Sequence, residues 1–207
     1  MTLDLIFQIV ILIFSVVVHE VAHGYAALML GDGTAKYQGR LTLNPIKHLD
    51  PFGSVILPLL LVFTGAGFVV GWAKPVPFNP YNLRNQRWGE AIVAIAGPLS
   101  NIIIALVFGL FIRFAFAADI VLGLPVLQII SMVVLINIVL AIFNLVPIPP
   151  LDGSKILFSI FPRRALVVRP FFERYGFIIV LIFILFLWDL LLPVVDLAFR
   201  LITGIYI

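Results

Sequence analysis

Five stretches of this chain, Leu3–Leu30, Phe52–Trp72, Gly89–Ile112, Pro125–Val146 and Gly176–Ile207, each run for about twenty residues or more with very few charged side chains. A helix of that length crosses the hydrocarbon core of a bilayer, whose interior offers the backbone no water to bond to. The runs are continuously apolar and do not alternate with polar residues, which excludes a transmembrane β-barrel. Composition agrees: 63% of residues are hydrophobic, 11% are charged, and the mean hydropathy is +1.21. That leaves too little polar surface for a water-facing globule. The fold class expected is therefore an all-α polytopic membrane protein with about four to six membrane helices.

Punctuation along the chain supports this division. Gly31-Asp32-Gly33 stops the first run, and polar connections follow over Thr34–Pro51, Ala73–Trp88 and Pro147–Tyr175. The stretch 52–72 holds Pro58, Gly65, Gly67 and Gly71, so it is expected to be re-entrant or broken rather than a plain span. The last run, 176–207, is broken at Pro193 and reads equally as one span with an interfacial tail or as two short helices. With no basic segment before its first apolar run and no small-residue cleavage site, the chain is expected to retain that helix and to form one integral-membrane domain over 1–207, without an appended soluble domain. The net charge of +3 comes from basic residues scattered between the apolar runs, a pattern of topology signals and not a nucleic-acid patch.

Ionisable groups inside a membrane span are costly and mark function. The first run contains His19-Glu20-Val21-Ala22-His23. Residues i and i+4 share a helix face, so the two imidazoles can bind one Zn²⁺ while Glu20 stands beside a metal-bound water as its base. The chain has no cysteine, so a third ligand must be a histidine or a carboxylate. The candidates are His48, Asp50, Asp119, Asp152, Asp189 and Asp196. Asp152 follows a segment unwound by Pro147, Pro149 and Pro150, where irregular backbone near membrane depth has to line a cavity or lie buried in protein. The bland alternative is a proline-terminated helix end with a surface Asp.

His19-Glu20-x-x-His23 together with Asn144-x-x-Pro147-x-Pro149-x-Leu151-Asp152-Gly153 resembles the site-2 protease family of intramembrane zinc metalloproteases. Gly97-Pro98-Leu99-Ser100-Asn101 is similar to that family's GxxxN element, and Gly71-Trp72-Ala73-Lys74-Pro75-Val76-Pro77 to a loop of its small bacterial and archaeal members. The likeness extends over about Val18–Lys155. It implies one Zn²⁺ held by His19, His23 and Asp152, Glu20 as general base, and a membrane-protein substrate cut in or near a transmembrane segment, the chemistry of regulated intramembrane proteolysis. It also implies that Asn101 and Asn144 lie near the site and help position substrate; hydrogen-bonded packing between helices is an equal alternative for both. The extended stretch Val69–Phe78 is either a strand edge for an unwound substrate or a plain surface loop.

Charge gives an independent test of topology. If 52–72 enters and leaves on one side, eleven Lys and Arg fall on that side and Arg113 and Arg200 on the other. A full crossing changes the split to eight against five and separates Asp152 from His23. The positive-inside rule favours re-entry, with the catalytic half toward the cytoplasm, the N-terminus outside and the chain in the cell membrane. Two rival readings use the same His/Asp cluster: a metal-binding transporter and a catalytically silent scaffold. An ion path does not need Glu20 beside the first histidine, and no paired broken repeat is visible in the sequence; all four chemical residues are present, which argues against a silent member.

Overall fold

The structure, a computed structural model, describes residues 2–56, 60, 63–64 and 73–205. Its helices are α1 (Thr2–Met29), α2 (Thr34–Tyr37), α3 (Gly89–Ala117), α4 (Leu124–Asn144), α5 (Asp152–Ile160), α6 (Pro162–Phe186) and α7 (Leu192–Thr203), and no strand occurs among the described residues. The chain is thus an all-α polytopic membrane protein. Among the described residues, three helices are long and apolar enough to span: Leu5–Met29 of α1, α3 and α4. The pair Arg174–Phe186 and Trp188–Thr203, bent by 66°, is apolar and long enough only when its two halves are taken together. Three to four spans thus stand at or just below the low end of the four to six expected, because the last run is a broken element: Pro193, with no N–H to continue a ladder, sits in the first turn of α7. Gly31, at φ +107°, ends α1 as its turn sequence predicts, and Gly204, at φ +80°, closes α7 in the left-handed conformation.

The relative directions of α1, α3 and α4 follow from side-chain bonds. From His23 back to His19 and Ser15 on α1, partners on α3 advance from Val93 to Asn101, so the two helices are antiparallel. On α4, Asn137 meets Ser15, while Asp152, beyond the helix end, meets His19; α4 therefore runs parallel to α1. At the same end, Arg84 N–H donates to the Leu30 carbonyl at 2.8 Å. The segment between Leu30 and Arg84 thus leaves and returns at one end of the helix layer. The re-entrant element expected over 52–72 lies largely outside the described residues; its described start, Pro51–Ile56, is a π-helical turn.

Lipid-facing and packed surfaces divide as a bilayer demands. Leu5, Ile6, Phe7, Ile9, Val10, Leu12 and Phe14 remain exposed on α1, where hydrocarbon solvates them. At the end of the layer away from the site, Ala105, Ile112, Val134, Ile138, Val195 and Phe199 form a core between α3, α4 and α7. Hydrophobicity does not drive helices together in lipid, so close packing and polar contacts must. Gly109 admits Ile202, whose Cγ2 would stand 2.3 Å from any Cβ there. Ser15, Asn101 and Asn137 are buried and bonded across three helices, each such bond contributing about 0.6 kcal/mol.

Candidate metal centre

His19 and His23 lie one turn apart on the buried face of α1. Asp152 reaches them from the first turn of α5, because Pro147, Pro149 and Pro150 turn the chain back after α4 and Gly153 lets it pass close by. A Cβ at Gly153 would stand 2.2 Å from the Leu145 carbonyl oxygen, nearer than any side-chain atom can approach.

The Nε2 atoms of His19 and His23 are 3.0 Å apart, and each is 3.1 Å from Asp152 Oδ2. Both Nδ1 atoms are engaged on the outer side: His19 with Asn101 Oδ1 at 2.6 Å, His23 with the Val93 carbonyl at 2.7 Å. Since those partners only accept, each Nδ1 carries the ring proton and each Nε2 presents a lone pair. Three lone pairs thus converge on one point. Such a donor set fits a divalent cation: tetrahedral zinc, with bonds near 2.0–2.1 Å, sets its ligands about 3.3 Å apart. The Lys155 ammonium, 3.2 Å from Asp152 Oδ1, favours the charged form of the carboxyl. That form is the one a ligand must present.

Around the triangle lies a cavity of about 120 Å³ lined by Glu20, Val76, Phe78, Asn144 and Lys155 besides His19, His23 and Asp152. It has room for a few water molecules. Glu20 Oε2 accepts from Val76 N–H at 2.7 Å, which leaves Oε1 for a second partner. Val76 is held there because Arg40 Nη2 donates to the carbonyls of Lys74 (2.8 Å) and Pro75 (3.3 Å), and Lys74 N–H bonds the His48 carbonyl. Gly24, one turn after Glu20, makes room: a Cβ there would meet Leu41 Cδ2 at 2.4 Å and Val76 Cγ1 at 2.9 Å.

Of the candidate third ligands only Asp152 joins the histidines; His19, His23 and Asp152 are the one group so arranged among the described residues. His48 is buried but bonds the Thr42 carbonyl, and Asp50 accepts from Phe52 and Gly53 N–H at the start of the π-helical turn. Asp119 ends α3 at φ +54°, Asp189 lies in the turn before α7, and Asp196 pairs with Arg200. Asn144 lines the cavity, its Nδ2 turned to the Leu140 carbonyl. Asn101 sits behind His19, fully buried, with its amide taken by His19 and Asn137. Sequence reasoning named Gly97 and Val76 only as members of resembling motifs, with no contact for either, and did not pick out Asn137 or Lys155. Of these last two, Asn137 carried a signal, as an amide inside a spanning helix that has to find a partner.

The profile of Peptidase family M50 matches residues 7–121 and 117–187. The chain is 43% identical over 182 residues to "Putative zinc metalloprotease YwhC" of Bacillus subtilis, a match covering 85% of this chain and 78% of that one. It is 31% identical over 177 residues to "Putative zinc metalloprotease Rip2" of Mycolicibacterium smegmatis (84% and 64%) and 30% identical over 155 residues to "Zinc metalloprotease MJ0392" of Methanocaldococcus jannaschii (75% and 34%). The last two relatives extend well beyond the stretch they share with it. No solved structure matches the chain. A triangle of two imidazoles and a carboxylate among apolar helices, in a chain matched over most of its length by one peptidase profile, has a single consistent assignment: this protein is a member of peptidase family M50, the site-2 protease family.

Proposed function

We propose that this protein is an intramembrane zinc metalloendopeptidase that hydrolyses peptide bonds in or near transmembrane segments of other membrane proteins. The observation that carries the reading is the lone-pair triangle of His19, His23 and Asp152 with the Glu20 carboxylate in the same small cavity. Zinc, when held by these three residues, supplies the Lewis acidity that brings a water molecule's pKa near 7 and polarises the scissile carbonyl. Glu20 takes the proton of the attacking water on the oxygen not held by Val76 and delivers it to the leaving amide nitrogen. Asn144, with its Nδ2 committed to Leu140, offers its Oδ1 to a substrate N–H. Asn101 acts on substrate only through the orientation of His19.

A substrate helix must unwind to bring a carbonyl to the centre, and the extended run 73–78 borders the cavity. Within it the carbonyls of Val76 and Pro77 have no partner among the described residues and suit pairing with an unwound strand. The eleven-to-two distribution of basic residues supports a catalytic half toward the cytoplasm, with the N-terminus outside.

The test is zinc content and cleavage of a reporter transmembrane substrate in wild type and Glu20→Gln. The variant should keep its zinc and lose about 10²–10⁴-fold in cleavage rate; an unchanged rate rules out Glu20 as the base. Asp152→Ala should lose the zinc itself, and unchanged metal content would reject Asp152 as a ligand.

A further inference from the structure

We propose that Asn137, which lies outside both ligand motifs, is a positioning residue for the metal centre: through Asn101 it decides which nitrogen of His19 faces the metal. The inference rests on the zinc reading above and adds a residue to it. Asn137 is fully buried in α4, and its Nδ2 lies 2.8 Å from the Val133 carbonyl and 2.9 Å from Ser15 Oγ. A backbone carbonyl only accepts, so the NH₂ side of this amide must face Val133 and its Oδ1 must face Asn101. Asn101 Nδ2 accordingly donates to Asn137 Oδ1 at 2.8 Å, with the Ser15 carbonyl at 3.4 Å on the same side. That choice leaves Asn101 Oδ1 against His19 Nδ1 at 2.6 Å. An oxygen there requires the proton on Nδ1 and the lone pair on Nε2, the atom facing His23 and Asp152.

Each link has one orientation, and the orientation is anchored by a main-chain carbonyl that cannot reverse. Without Asn137, only the long 3.4 Å contact to the Ser15 carbonyl orients the Asn101 amide: turned over, it presents NH₂ to His19 Nδ1 and favours the tautomer with its proton on Nε2, which cannot bind metal through that atom. Three helices are tied into this relay, so it also makes the register of α4 against α1 a condition of metal binding. Groups of this kind typically alter metal affinity 10–100-fold.

The experiment measures zinc affinity of the full-length chain in detergent by competition with a chelator. Asn137→Leu, close in volume and suited to an apolar helix, should weaken zinc binding about 10–100-fold. Asn101→Asp supplies a carboxylate that accepts whichever way it turns, so adding Asn137→Leu to Asn101→Asp should change affinity by less than about 3-fold. Equal affinity in wild type and Asn137→Leu overturns the relay. A loss that persists undiminished in the Asn101→Asp background also overturns it, since damaged packing and not amide orientation would then be the cause. Wild-type protein with no measurable zinc affinity overturns the metallopeptidase reading and this inference together, which separates that failure from the other two.

Discussion

Gly97 on α3 offers a sharp test of the centre, because two general effects of Gly97→Ala have opposite signs. As a residue inside a helix, glycine is worse than alanine by about 1 kcal/mol, so a view confined to α3 expects a small gain in stability. Across the helix interface, however, the alanine Cβ would stand 2.5 Å from both Cε1 and Nε2 of His23 and 2.6 Å from Nε2 of His19. Ordinary contact needs at least 3.4 Å, so both rings or the α3 backbone must move by about 1 Å. The rings cannot simply retreat, because Val93 and Asn101 hold their outer nitrogens at 2.7 and 2.6 Å. Metal–ligand distances tolerate only about 0.2 Å, so the displacement is several times what the site can absorb. Zinc affinity should fall at least about 100-fold, equivalent to about 2.8 kcal/mol. The assay is zinc per chain after dialysis against graded chelator, with thermal unfolding alongside to establish that the variant is folded. A folded Gly97→Ala protein that keeps one zinc at wild-type affinity would refute the packing of α3 on the two imidazoles.

Three further outcomes follow from contacts around the site. Asp32, on the tight turn after α1, accepts from Thr34, Asn79 and Asn82; burial pushes its carboxyl up, but these bonds outweigh burial and hold it below the usual carboxylate range. A depressed pKa makes the stabilisation complete above the ordinary carboxylate pKa and lost as pH falls through the folded value, so Asp32→Asn should flatten the acid side of the melting-temperature profile below pH 4, and a profile parallel to wild type would exclude this linkage. Arg40→Met should leave zinc content unchanged and slow reporter cleavage about 10-fold, because Val76 would no longer be held against Glu20; an unaltered rate would mean that the 73–77 segment keeps its position without the guanidinium. Lys155→Met removes the 3.2 Å bond to Asp152 Oδ1 and, with that side chain 32% exposed, should weaken zinc binding only about 3–10-fold, with Lys155→Arg close to wild type; a loss shared equally by both variants would point to packing against Phe78 instead.

Helix spans, their stops and the His19-Glu20-His23 cluster were legible along the chain because each depends on neighbours within a turn or two. An apolar run needs no distant partner to declare a span, i and i+4 share a face in any helix, and Gly31 ends a helix, as Pro193 opens one, by its own backbone chemistry. Even the orientation of α4 relative to α1 could be reached from the distribution of Lys and Arg, since these charges respond to the membrane and not to the fold. The Asp152 assignment leaned on resemblance, because the local pattern alone left other acidic and histidine residues in contention.

Tertiary structure decided what depends on contacts remote in sequence. Asp152 is 133 residues from His19, and only the parallel course of α1 and α4 brings the two within 3.1 Å while leaving His48 and Asp50 in the loop. The duties of Asn101, Asn137, Gly97 and Val76 were equally hidden: an amide, a missing Cβ or a single backbone N–H has no function until a second helix or segment supplies the atom it meets. Local periodicity determines that this chain crosses a membrane and carries two imidazoles on one helix face. Which carboxylate meets those imidazoles, and which partner each ring nitrogen finds, are settled by packing between helices, because only there are directional polar groups removed from water and given a single partner.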